Sequence, residues 1–182
     1  MTFKSLGIIL AKFIGKVFYD KKYLTGKWFE GKDTGWNFVL KNFIWQKIFR
    51  FNSHIPFPVS PRIVIAKNEN LIFHPDDINN FQSFGIYFQN YNGKIIIGKG
   101  TYIAPNVGLI TSNHDPTNLK QHLPGKNVIL GEKCWVGMNA VILPGVELGD
   151  KTTVAAGAVV TKSFIEGNCI IGGVPAKVIK RL

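Results

Sequence analysis

From Leu130 to Ile165 an aliphatic residue recurs at every sixth position: Leu130, Val136, Ile142, Leu148, Val154 and Val160. Four places after each of the first five stands a small or compact residue: Cys134, Ala140, Val146, Thr152 and Ala158. A helix repeats every 3.6 residues and a strand every two, so neither accounts for a period of six. Short strands meeting at corners do. The aliphatic residue of each six points inward, and three sixes close one triangular turn of a parallel β-helix. That geometry stacks Leu130 on Leu148, Val136 on Val154 and Ile142 on Val160. Gly131, Gly137 and Gly149 are expected to relieve backbone strain at the corners.

Ahead of this block the sixes are weak over Arg62 to Lys94, as expected of a capping coil. They become clear at Ile97, Ile103 and Leu109. From Leu109 to Leu130 is 21 residues, not a multiple of six, so the register breaks within residues 111–127. An insertion in a solenoid emerges as a loop on one face, often the working face.

The N-terminal third has a different period. Residues 1–20 place Phe3, Leu6, Leu10, Phe13, Ile14 and Val17 on one helical face and keep Lys4, Lys12 and Lys16 off it. Lysines interrupt this run short of the roughly 20 residues that span a bilayer. It lacks a small-residue cleavage site, so a secretory signal is not expected. The pattern suits a helix lying on an anionic membrane surface. It also suits one packed on the body of the protein or on a neighbouring subunit. Residues 25–36 read as a Gly-rich, aromatic loop. Residues 37–51 give a second helix, with Leu40, Ile44, Ile48 and Phe51 aligned and Asn37 as N-cap. Ile55–Pro61 (IPFPVSP) ends it. The chain therefore divides into a helical accessory region, 1–60, too small for its own core. A β-helix over 61–165 and a tail over 166–182, turned at Gly172-Gly173 and Pro175, complete it.

Composition narrows the picture. The 182 residues, 46% of them hydrophobic, suit one domain plus an appendage. Two cysteines are too few for a disulfide framework or a thiolate zinc site. Cys134 fills a repeat position and reads as a buried apolar residue, in keeping with the reducing cytosol. The formal charge of +11 is concentrated in residues 1–60, where ten Lys/Arg face three acids. Such basicity suits anionic lipid or a phosphorylated ligand; no nucleic-acid motif accompanies it. Neither a nucleophile elbow nor a P-loop is present. Four histidines remain as candidate reactive groups: His54, His74, His114 and His122, the last two in the loop that breaks the repeat. Asp76-Asp77 reads as a turn or helix cap before it reads as a contact for a ligand or subunit.

Several segments carry a resemblance in order: Ile97–Pro105 (IGKGTYIAP), Asn113-His114-Asp115, Cys134-Trp135-Val136-Gly137, Ile142–Gly145 (ILPG), Ala156-Gly157 with Val160-Thr161-Lys162, and Gly173–Ile179 (GVPAKVI). Together they resemble the hexapeptide-repeat acyltransferases, in particular the maltose/galactoside O-acetyltransferase-like branch. The resemblance covers about Phe84 to the C-terminus, and the N-terminal third does not share it. It implies a mainly β fold, a left-handed parallel β-helix, assembled as a homotrimer with acetyl-CoA in each groove between subunits. By motif position His114 is the general base. Trp135 stands beside the thioester or acceptor, with Asn90, Asn113 and Asp115 on the acceptor. Gly137, Ala155 and Ala156 line the pantetheine arm, and Lys162 and Lys177 lie near the nucleotide phosphates. No metal is required. The chemistry is consistent: a neutral imidazole removes the proton of a hydroxyl as its oxygen attacks the thioester. Backbone N–H groups at a corner would meet the oxyanion.

The implied activity is O-acetylation of a saccharide, in bacterial capsule or lipopolysaccharide biosynthesis, in the cytoplasm or peripherally on the inner face of the membrane. Three alternatives stay open: N-acetylation of a nucleotide-linked amino sugar, a non-catalytic scaffold, and a metal β-helix of the carbonic-anhydrase kind. The last needs three converging histidines, and the loop has two.

Overall fold

The computed structural model describes residues 3–182; Met1 and Thr2 of the expected N-terminal helix, and the side chains of Phe3 and Lys4, lie outside the described residues. From residue 64 the chain winds over three faces built of very short strands. The first face stacks β1 (Val64–Ile65), β3 (Tyr87–Gln89), β6 (Gly108–Ile110), β11 (Val141–Ile142) and β14 (Val159–Val160). The second holds β2 (Leu71–Ile72), β4 (Ile95–Ile97), β9 (Val128–Leu130) and β12 (Glu147–Leu148). The third holds β5 (Tyr102–Ile103), β10 (Trp135–Val136), β13 (Thr153–Val154), β15 (Cys169–Gly173) and β16 (Ala176–Arg181). Pairing on the first two faces is parallel, and on the third it is parallel until β16 folds back antiparallel on β15.

The stacking is the one the period of six predicts. Leu130 pairs with Leu148, Val136 with Val154 and Ile142 with Val160, each side chain at most 1% exposed. Ile97 pairs with Leu130, 33 positions on instead of 18, an excess of 15 residues in that one coil. The excess leaves as a hairpin of β7 (His114–Asp115) and β8 (Asn118–His122). Cys134 is buried, as expected. Its Sγ lies 3.3 Å from the Gly149 carbonyl oxygen, and burial raises its pKa, which keeps it an unreactive thiol.

The corner glycines act differently from the expectation. Left-handed backbone at the corners is taken by Asn106, Lys133, Asn139 and Lys151 as well as by glycines such as Gly157, but not by Gly131, Gly137 or Gly149. Those three sit where the next coil comes closest. A Cβ on Gly137 would stand 2.7 Å from the Ala156 nitrogen, and one on Gly131 2.7 Å from the Asp150 nitrogen. Space between stacked backbones, not left-handed φ, selects glycine there.

Two helices form the N-terminal region, α1 (Phe3–Phe18) and α2 (Thr34–Phe43), the latter running on through a π-turn at Ile44–Ile48. The second helix begins ahead of Asn37, which lies within it, its N–H bonded to the Asp33 carbonyl. In both helices most of the expected apolar face points outward, with Ile14 and the half-buried Leu40 as its inward members. In α1 the inward face is Ala11, Ile14 and Gly15, while Leu6, Leu10, Phe13 and Val17 are exposed. In the second helix Val39, Asn42 and Gln46 are buried, while Ile44 and Ile48 are exposed. Asn42 donates to Phe38 O and Gln82 Oε1, and Gln46 is held inside by the segment after it, whose carbonyls have no regular partner. The Gln46 amide donates to the carbonyls of Asn52, Ile55 and Phe57, and its oxygen accepts from Tyr19 Oη and Val59 N.

The helices and the coil share one continuous core. A chain of rings, Tyr23, Phe57, Phe81 and Phe88, runs from one into the other with centroids 4.9–5.3 Å apart. Asp76 and Asp77 close the seam, as the turn reading expects. Asp76 accepts from Lys27 N, Asp77 accepts from Gly100 N, and the His74 ring caps the turn by accepting from Asp76 N.

Candidate functional site

The hairpin that leaves the coil is held at its root by Gln89. The Gln89 carboxamide oxygen accepts from the Thr111 and Ser112 nitrogens, and its nitrogen donates to the Ser112 carbonyl. Leu123 N donates to Asn113 O and Lys126 N to Thr111 O, which closes the base. The chain returning after β8 passes so near the Asn92 carbonyl that a Cβ on Gly125 would overlap it. At the tip, the Asp115 carboxylate accepts from both the N–H and hydroxyl of Thr117 at 2.8 and 2.6 Å. These two bonds, the hydroxyl one first, hold that carboxyl below the usual aspartate range.

His114 therefore sits on a braced hairpin. Its Nδ1 lies 2.8 Å from the Leu119 carbonyl oxygen. A carbonyl can only accept, so Nδ1 carries the hydrogen, and in the neutral ring Nε2 keeps its lone pair. The His122 ring packs against it with centroids 4.1 Å apart. The pair opens on a cavity of about 470 Å³ lined also by Tyr87, Gln89, Tyr91, Asn92 and Ser112. Burial, then the neighbouring Tyr91, raises the Tyr87 pKa, so its phenol stays protonated and able to donate.

The structure divides the residues marked out by sequence. Asn90 is completely buried and does not face an acceptor: its oxygen accepts from Ala66 N and Lys67 N and its nitrogen donates to Lys67 O, closing a corner of the first coil. Asp115 shapes the turn, and the bond that orients His114 comes from Leu119. Asn113 is exposed beside His114, its carbonyl tied to Leu123. None of Trp135, Gly137, Ala155, Ala156, Lys162 or Lys177 lines the His114 cavity. Trp135 is 57% exposed on the third face, paired with Tyr102 on one side and Thr153 on the other. Gly137, Ala155 and Ala156 form the corner that follows, and Lys177 lies on β16 opposite Gly172. Lys162 follows β14, at the corner between first and second faces from which the hairpin also emerges. Gln89 and Tyr87 line this cavity without any signal in the sequence, beside His122, one of the four candidate histidines. His122 has a legible signal, since a turn at Asp115-Pro116-Thr117-Asn118 puts residues 114 and 122 across a hairpin.

Among the described residues there is no cluster of three or more His, Cys, Asp or Glu placed to hold a metal ion.

Residues 127–162 match the family model for the bacterial transferase hexapeptide (six repeats). The chain is 34% identical over 106 residues to the galactoside O-acetyltransferase of Escherichia coli (strain K12), covering 53% of this chain and 51% of that protein. It is 35% identical over 99 residues to a putative lipopolysaccharide biosynthesis O-acetyl transferase of the same organism, covering 48% of this chain and 50% of the relative. Among solved structures it resembles a hexapeptide-repeat-containing acetyltransferase from Vibrio cholerae O1 biovar eltor complexed with acetyl coenzyme A. That likeness has a TM-score of 0.50 and 25% identity, over 55% of this chain and 57% of that one. The chain spans about half the length of the curated relatives it matches, 50–60% for the first five. The resemblance to hexapeptide-repeat acyltransferases thus rests on repeat, relatives and fold together.

Proposed function

We propose that this hexapeptide-repeat protein is an acetyl-CoA-dependent O-acetyltransferase acting on a saccharide hydroxyl, with His114 as general base. The observation that carries this reading is the Nδ1 bond from His114 to Leu119 O, which leaves Nε2 as a base in an open polar cavity. Nε2 takes the hydroxyl proton while the oxygen bonds to the thioester carbonyl carbon. The tetrahedral intermediate collapses by breaking the C–S bond, and the departing thiolate recovers the proton from the imidazolium. The ester and free CoA are the products, and no proton is left over.

The acceptor lies against Tyr87, Gln89 and Ser112, with Asn113 at the rim. CoA lies along Trp135, Gly137, Ala155, Ala156 and Lys177, with Lys162 on a phosphate. The distribution of these groups over separate corners of the coil supports a site completed between subunits of a homotrimer, the coil being left-handed as in the family. The Escherichia coli relative named for lipopolysaccharide biosynthesis supports a surface-polysaccharide precursor as acceptor, modified on the cytoplasmic side.

The test is transfer of radiolabelled acetyl from acetyl-CoA to a panel of saccharides. An ester product cleaved by neutral hydroxylamine, lost in His114→Ala, is expected. An amide product would move the assignment to an amino sugar, and wild-type protein that does not bind acetyl-CoA would make the coil a scaffold.

A further inference from the structure

The apolar face that the two N-terminal helices turn outward is continuous. Leu6, Leu10, Phe13 and Val17 form one stripe on α1, each more than half exposed. Ile44, Trp45, Ile48 and Phe49 form a second on the π-turn and the residue after it, each 48–60% exposed. The Phe18 and Phe43 rings, 5.1 Å apart, join the helices between them. So much contiguous exposed aromatic and aliphatic surface is unusual on a soluble monomer and marks a contact surface.

Charge indicates what covers it. Exposed Lys12 and Lys16 run along the edge of the first stripe, in a segment where ten Lys/Arg face three acids. Pairing this face with its copy on a second molecule would bring like charges together. An anionic bilayer supplies the opposite charge and takes the apolar stripe into its interface. None of the described helices is long and apolar enough to cross a membrane, so the helices would lie in its plane.

Beside the second stripe is a cavity of about 410 Å³ with a marked composition. Trp45 and Phe51 form its apolar wall and Lys41 and Arg62 supply two cations. Asn42, 1% exposed, also lines it. The Asn42 nitrogen donates to Phe38 O and to Gln82 Oε1, while its own oxygen has no hydrogen-bond partner among the described residues. A phospholipid headgroup offers phosphate oxygens for the two cations, with acyl chains leaving along Trp45.

We propose that the helical region docks in the plane of an anionic membrane and that the Lys41/Arg62 cavity takes the phosphate of an anionic phospholipid headgroup. The inference is independent of acetyl transfer. It is tested by sedimenting the full chain with vesicles of phosphatidylcholine alone or with phosphatidylglycerol, at low and high salt. Binding to the anionic vesicles, weakened by salt, is expected. Leu10→Glu with Phe13→Glu lowers it at least tenfold, and Lys41→Gln with Arg62→Gln by roughly tenfold or more. Lys133→Gln with Lys151→Gln, the same charge change on the coil, stays within twofold. All these side chains are exposed, so each variant keeps the wild-type thermal transition. Equal binding to both vesicle types, or equal loss in the Lys41/Arg62 and Lys133/Lys151 variants, would overturn the headgroup site. A wild-type chain that ignores vesicles but loses mass in solution on Leu10→Glu with Phe13→Glu would give the face to a second copy. Competition by inorganic phosphate in place of vesicles would make the cavity a free-anion site.

Discussion

At the scale of single residues, the His114 ring is defined by one bond to a backbone carbonyl and one packed neighbour. Replacing His114 by Ala removes the proposed base and is expected to lower kcat by about 10² to 10⁴, the usual worth of general base catalysis, measured by thiol release from acetyl-CoA with saturating acceptor. His122→Ala leaves the base in place but loosens the ring it packs against, so a smaller loss in kcat is expected. Asp76 offers a test in stability. The Lys27 N–H, then Lys99 and His74, hold its carboxyl below the usual range. A carboxyl with a lowered folded pKa stabilises the fold fully above the ordinary value of about 3.9 and loses that effect as pH falls through the folded value. Urea midpoints from pH 7 to pH 2.5 should therefore fall more in wild type than in Asp76→Asn. His114 and His122 are legible as the two histidines in the one break of a strict repeat. Asn90 and Gln89 were not separable from sequence: they are adjacent and both polar, and which of them meets the loop depends on how the strand leaves its corner.

At the scale of elements, the coils from Ile97 onward could be read because each six repeats one demand, an aliphatic residue pointing inward. The helices could be located but not oriented. Much of their expected apolar face points outward, and the interior is taken by Ala11, Ile14, Gly15, Val39, Asn42 and Gln46, with Gln46 satisfying stranded carbonyls. Gln46→Ala leaves three buried or half-buried carbonyls without that donor. A loss of about 1–3 kcal/mol is expected, read as a lower urea midpoint with unchanged slope. Gly125→Ala places a Cβ against the Asn92 carbonyl and must shift the hairpin. Acetyl transfer should drop at least tenfold while the urea midpoint moves little, because displacing a reactive group by about 1 Å already costs on the order of 10²-fold and the coil below is untouched.

At the scale of the whole molecule, His114 and Trp135 lie on different parts of one chain and do not share a cavity. If the working site is completed between subunits, His114→Ala and Trp135→Ala proteins, each inactive alone, should regain activity when unfolded and refolded together, because some interfaces then combine two intact halves. Refolded mixtures no more active than their parts would place the site within one chain.

The parallel coil also ends differently at its two ends. Aromatic rings shared with the helices cover one, and the antiparallel strand β16 stops parallel growth at the other. Between Leu130 and Val160 each turn is a unit of 18 residues that adds one strand spacing, about 4.8 Å, to every face at once. Length along the groove is therefore graduated like a ruler. Duplicating residues 131–148 would lengthen the third face by one graduation while leaving the hairpin, the root at Gln89 and both ends intact. Two groups held on different turns of one face can then change their separation only in whole steps.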